Sequence, residues 1–140
     1  MTTRTKNNTL AEIADFLKTL DRVAITTHVG ADGDAIGASA ALVRLMHALG
    51  VEAVFCHAEA VPDYLSWLLP DEALTELPPE HDLLVADTSR SDRAGVPVPE
   101  AGARLNVDHH EDNPLYAEYN LVNPRAAATA EIVADLYPGQ

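Results

Sequence analysis

Arg22-Val23-Ala24-Ile25-Thr26-Thr27-His28-Val29-Gly30-Ala31-Asp32-Gly33-Asp34-Ala35-Ile36-Gly37 is the stretch on which the fold turns. Its first six residues are apolar and partly β-branched, as in a buried strand. From Ala35 to Leu49 apolar residues return at helical spacing, and Gly50 stands where such a helix would close. The polar piece between them, rich in glycine, is a loop that carries a strand into a helix.

The same alternation continues on both sides. Upstream, Thr9 is a good N-cap, and Leu10, Ile13, Phe16, Leu17 and Leu20 follow at helical spacing. Downstream, the pattern predicts a strand over Val51–His57, a short helix over Pro62–Leu69, and strands over His81–Asp87 and Ala103–Asp108. Tyr119–Val122 adds a short fifth strand, and Thr129–Leu136 starts a last helix. Apolar strands alternating with helices predict an α/β fold of the Rossmann-like kind. The expected sheet is mainly parallel, of four to five strands, with helices on both faces. There is no internal repeat or low-complexity tract, and the Pro and Gly residues between Gly95 and Gly102 read as a surface loop.

The totals narrow the function. The chain has 140 residues, 47% of them hydrophobic, which suits one domain with its own core. The lone Cys56 sits in an apolar run and has no partner for a disulfide, which points to a reducing cytoplasm. The residues Met1 to Asn8 carry no apolar signal core, and no stretch approaches a bilayer-spanning length, so no membrane partner is expected. A formal charge of −13 repels long nucleic acid and anionic lipid. A phosphorylated substrate would need local cations to offset that field.

In an open parallel sheet the ligand crevice lies beyond the carboxyl ends of the strands. Three polar clusters fall there: His28 to Asp34 after the first strand, Asp87-Thr88-Ser89 after the third, and Asp108-His109-His110 after the fourth. A single Asp before a helix is usually a cap, and a single Asp after a strand is usually a turn residue. Asp32 and Asp34 together, four to six residues after His28, exceed what a cap needs, and their charges would repel without a cation. His28, Asp32, Asp34, Asp87 and His109 are therefore candidate metal ligands. Mixed nitrogen and oxygen donors suit Mn²⁺, with Mg²⁺ or Co²⁺ as substitutes, and Zn²⁺ also fits. The set is large enough for two ions roughly 3.5–4 Å apart sharing one carboxylate, an arrangement that cleaves phosphate esters or anhydrides.

Two rival readings are weaker. Gly30, Gly33 and Gly37 have the wrong spacing for a dinucleotide loop, and Asp32 and Asp34 would face the pyrophosphate. An aspartyl-phosphate enzyme could use the Asp-x-Asp pair, but it leaves His28 and Asp108-His109-His110 idle.

Taken together, His28-Val29-Gly30-Ala31-Asp32-Gly33-Asp34-Ala35-Ile36-Gly37-Ala38, Val85-Ala86-Asp87-Thr88-Ser89, Asn106-Val107-Asp108-His109-His110 and Asn123-Pro124 with Ala127-Ala128-Thr129-Ala130-Glu131 resemble the DHH phosphoesterase superfamily. Within it the likeness is greatest to the bacterial oligoribonucleases that also dephosphorylate phosphoadenosine phosphate. The resemblance implies two Mn²⁺ ions, one held by His28 and Asp32, the other by Asp34 and His109, with Asp87 between them. It implies that Asp108 orients its neighbours, that His110 meets substrate or leaving group, and that Arg93 helps bind phosphate. The implied substrates are short oligonucleotides or nucleotides, and a homo-oligomer is compatible. The family pattern also places a further metal-binding Asp and a second, substrate-gripping domain beyond the last helix. On that pattern residues 1–140 are a truncated N-terminal DHH domain, without the C-terminal domain, because Asp135 comes too early to be that ligand. The alternative is a metal-binding or regulatory fragment with little or no turnover.

Overall fold

The structure, a computed structural model, describes residues 6–138; the opening Met1 to Thr5 and the last residues 139–140 lie outside it. Helix α1 (Leu10–Leu17) starts at Thr9 through a capping box, in which the Thr9 hydroxyl accepts from the Glu12 amide at 3.1 Å and the Glu12 carboxylate accepts from the Thr9 amide at 2.9 Å. Its apolar stripe buries Ile13, Phe16 and Leu17. Then come β1 (Arg22–Thr26), α2 (Gly33–Ala48), β2 (Glu52–Phe55), α3 (Asp63–Ser66), β3 (Asp82–Ala86), β4 (Leu105–Asp108), β5 (Tyr119–Val122) and α4 (Thr129–Asp135). Every predicted element is present within a few residues of its expected bounds. Helix α2 begins a little early because Asp32 caps it, its Oδ1 accepting from the Ala35 amide at 2.9 Å. Helix α3 is a single turn, and a 3₁₀ turn at Ser91–Arg93 has no apolar periodicity to announce it.

The strands form one all-parallel sheet in the order β2-β1-β3-β4-β5. Crossovers between parallel strands are right-handed, so steps running in opposite directions across the sheet lie on opposite faces. The step from β1 to β2 carries α2, which packs with α1 and α4 over Ile25, Phe55, Leu84, Leu105 and Leu121. The steps from β3 to β4 to β5 run the other way, through chain that includes Gly95, Pro97, Pro99, Gly102 and Pro114. Proline and glycine suppress helix there. The second face is therefore covered by irregular segments whose Val96, Ala103 and Ala117 pack on Ala24, Leu83 and Val85. Both faces are covered, as the sequence predicts, but among the described residues the α-helices gather on the first.

The order of the strands reverses between β1 and β3, so the loops after these two neighbours splay apart and open a crevice. His28 follows β1 and Asp87 follows β3. No helix among the described residues is long and apolar enough to cross a membrane. Cys56 is free and buried, and burial pushes its thiol up to about 12, so it serves as core.

The outer edge of β5 is sealed by the residues just before α1. The Asn7 side chain donates to Val122 O and accepts from Val122 N, both at 2.8 Å. Asn8 does the same for Asn120, its amide donating to Asn120 O at 2.6 Å and its side chain accepting from Asn120 N at 3.0 Å. An open strand edge would leave these groups without partners. Asn7→Ala with Asn8→Ala is expected to lower stability in urea melts by roughly 1–3 kcal/mol per orphaned group. A double variant within about 0.5 kcal/mol of wild type would show that water serves the edge equally well.

Candidate metal centre and active site

Asp87 is the middle of the site. It follows β3 with a left-handed backbone (φ 56°), while its amide still donates to Val107 O at 2.8 Å. Aspartate tolerates that conformation better than most residues, and the turn keeps the carboxylate at the sheet's edge. The residue is 3% exposed.

Its two oxygens face two different imidazoles. Asp87 Oδ2 lies 3.5 Å from His28 Nε2, and Asp87 Oδ1 lies 3.4 Å from His109 Nε2. Each imidazole faces one more carboxylate: His28 Nε2 is 3.9 Å from Asp32 Oδ1, and His109 Nε2 is 3.6 Å from Asp34 Oδ2. His28 Nδ1 is 2.7 Å from Val29 O and donates its hydrogen there, which leaves the Nε2 lone pair turned toward the carboxylates. An imidazole lone pair converging with carboxylate oxygens is a donor set that fits a hard or borderline divalent ion. Ligand atoms of His28, Asp32 and Asp87 all lie within 4.8 Å of one another, and so do those of Asp87, His109 and His110. The two groups share Asp87.

Asp34 has both oxygens engaged at the start of α4: Oδ2 accepts from the Thr129 amide and Oδ1 from the Ala130 amide, each at 3.2 Å. The Thr129 hydroxyl donates to Asp87 Oδ1 at 2.9 Å. Thr129 thereby ties two carboxylates together, a role hidden in a sequence where it reads as a helix start.

His110 sits differently from His109. Its Nδ1 donates to Asp108 Oδ1 at 2.7 Å, and the buried Asp108 is held in turn by Asn113, whose Nδ2 donates to Asp108 Oδ2 at 2.8 Å and to Asn106 Oδ1 at 2.7 Å. Burial pulls the His110 pKa down, but the hydrogen bond and charge of Asp108, with the charge of Asp87, outweigh it and set the pKa above the ordinary imidazole value. Tyr116 holds the neighbouring loop by donating to Thr88 O at 2.9 Å. Asn106, Asn113 and Tyr116 were not singled out from the sequence, because nothing local marks a residue that acts by bracing another.

Arg93 lies on the 3₁₀ turn and lines a recess of about 270 Å³ with His28, Asp87, Ser89, Arg90 and His110. Arg90 adds a second guanidinium, which pairs with Asp92 at 2.8 Å.

Residues 22–139 match the DHH family, N-terminal domain. The chain is 39% identical over 129 residues to the bifunctional oligoribonuclease and PAP phosphatase NrnA of Thermus thermophilus, covering 89% of this chain and 39% of that protein. It is 28% identical over 142 residues to the protein of the same name from Mycoplasma pneumoniae, covering 94% of this chain and 44% of that one. The chain thus spans less than half the length of these relatives. An exopolyphosphatase-related protein from Bacteroides fragilis has the same fold, with a TM-score of 0.74, 20% identity, and coverage of 97% of this chain and 44% of its own.

Burial, reinforced by the charge of Asp34, raises the Asp87 carboxyl from 3.8 to about 6, against the lowering effect of the Thr129 hydrogen bond and His28. A raised carboxyl favours folding only while protonated, so its contribution is complete below about pH 4 and is lost as pH rises through about 6. In chelator-treated protein, Asp87→Asn should match wild type near pH 4 and exceed it above pH 6 by up to about 3 kcal/mol. Denaturant melts across that range check it, and a stability difference independent of pH would show that Asp87 ionises without penalty.

Proposed function

The chain belongs to the DHH family, and from that membership and the geometry around Asp87 we propose that it is the catalytic portion of a manganese-dependent phosphoesterase acting on short oligonucleotides or nucleotides. One observation carries this reading. A single buried carboxylate turns one oxygen to each of two imidazoles, and each imidazole faces a further aspartate. That is the donor arrangement of two ions sharing a ligand.

In this reading His28 and Asp32 would hold one ion and Asp34 and His109 the other, with Asp87 offering an oxygen to each side. Mn²⁺ suits the mixed donors, and Mg²⁺ or Co²⁺ would substitute. When bound, the ions supply positive charge for an anionic substrate and a site that makes water more acidic. The chain's own residues do the rest. Arg93 and Arg90 line the recess that would receive the phosphate. His110, held by Asp108 and with its pKa above the ordinary imidazole value, gives a proton to the departing oxygen as water adds to phosphorus and the P–O bond breaks. Asp108 fixes the ring so that its other nitrogen faces the reaction.

Substrate size follows from charge and surface. A net charge of −13 with 5% aromatic residues offers neither a basic groove nor a run of stacking platforms for a long strand. The names of the relatives from Thermus thermophilus and Mycoplasma pneumoniae support oligoribonucleotides and PAP as the substrate class. The free, buried Cys56 suits a cytoplasmic setting. A second reading, a metal-binding domain with little turnover, draws on the full engagement of Asp34 with α4.

The deciding experiment measures Mn²⁺-dependent release of mononucleotide from a dinucleotide, and of phosphate from PAP, on this chain and on the full-length native protein. His110→Ala is expected to lower turnover by about 10²–10⁴-fold with Mn²⁺ occupancy intact. Asp87→Asn is expected to lower both occupancy and turnover, and further than His110→Ala. A folded Asp87→Asn that keeps its Mn²⁺ and its rate would make Asp87 a turn residue and end this reading.

A further inference from the structure

His57 stands just beyond β2 and is 3% exposed, outside every cluster the sequence motifs define. Its Nδ1 accepts from the Glu59 amide at 3.0 Å, so that nitrogen carries no hydrogen. The hydrogen sits on Nε2, which donates to the backbone carbonyl of His28 at 2.9 Å. The ring therefore grips the main chain of the residue whose side chain faces Asp32 and Asp87.

The grip is built from three segments. Gly95 closes against the ring so tightly that an added Cβ would overlap His57 Cδ2 and Nε2. The Gly95 amide donates to Thr27 O at 2.7 Å, and Gly95 O accepts from the Ala58 amide at 2.8 Å. The Val29 amide donates to Arg93 O at 2.7 Å, and the Glu59 carboxylate accepts from the Gly30 amide at 2.7 Å. Gly30 itself has φ 66°, a conformation that glycine adopts freely. Residues 27–30 are thus clamped from one side by 93–95 and from the other by 57–59, with the His57 ring between them.

We propose that His57 is a positioning residue, which fixes His28 through its carbonyl and so sets how tightly the group formed by His28, Asp32 and Asp87 holds its divalent ion. The part that concerns metal rests on the reading given under Proposed function, and the clamp itself does not. Residues behind metal ligands commonly change affinity about 10–100-fold when removed. His57 differs from most such residues in acting on a ligand's main chain. The imidazole of His28 already spends its own Nδ1 hydrogen on Val29 O, so the ring's direction follows the backbone that His57 holds.

The test uses the whole chain and two substitutions. His57→Phe keeps a flat ring in the slot but has no donor, whereas His57→Gln can place an amide N–H near the position of Nε2. In chelator-treated protein, hydrogen exchange at the Val29 and Gly30 amides should be at least about 10-fold faster in His57→Phe and close to wild type in His57→Gln. In a calorimetric Mn²⁺ titration, the first ion should bind about 10–100-fold more weakly to His57→Phe, with most of the loss recovered in His57→Gln. If His57→Phe fails to fold, Gly95→Ala, which displaces the same ring, takes its place with the same readouts. Wild-type Mn²⁺ affinity in His57→Phe, or a Gln variant no better than Phe, overturns the proposal. A wild-type chain that binds no Mn²⁺ sinks the functional reading instead. The exchange rates then decide the clamp alone, with faster exchange only in Phe supporting it and unchanged rates overturning it.

Discussion

One buried negative charge organises this molecule's functional edge. Asp87 is almost wholly enclosed, lies near the carboxylates of Asp34 and Asp108, and is offset by two imidazoles and the Thr129 hydroxyl. Left alone, such a group holds its proton to about pH 6. The same enclosure that makes the bare carboxylate costly makes a divalent ion welcome, because little water remains to screen the attraction. Stability is given up at this point in exchange for a site that is already shaped, a common bargain at catalytic centres.

The shape itself comes from topology. Strand order reverses between β1 and β3, so His28 and Asp87, far apart in sequence, emerge side by side at the crevice. Strand β4 lies beside β3 and brings Asp108, His109 and His110 to the same edge. Helix α4 then returns with its first residues against Asp34 and Asp87, so the last helix fastens the first and second clusters together. Backbone amides and the hydroxyls of Thr27, Tyr116 and Thr129 help hold these loops and the helix start relative to one another.

Much of this was legible in the chain. The strands and helices were readable because apolar periodicity changes sharply at Thr27, Gly50 and Asp87, and turn or capping residues mark the changes. The clustered polar side chains were readable because carboxylates and imidazoles at three strand ends have no structural use in common. Other features could not be read. Thr129 and Asn113 have ordinary local roles, and only the fold shows what their polar atoms reach. His110 is one of two adjacent imidazoles in the sequence, and only the fold shows that its ring comes within 4.8 Å of ligand atoms on both Asp87 and His109. His57 was invisible for a different reason: a lone histidine after a strand has no partner in sequence, and its significance lies in a carbonyl 29 residues away. The uneven cover of the sheet was likewise hidden, since it depends on the handedness of crossovers as much as on the composition of the segments.

The sealing of β5 by Asn7 and Asn8 joins chain segments 115 residues apart. Contacts of that span close late, after shorter loops have formed. In the order of synthesis the asparagines come before β1 to β4 and meet their partner strand only once β5 has followed. Until β5 is made, β4 is an unpaired margin of a growing sheet, and the crevice edge gains the start of α4 only after that strand.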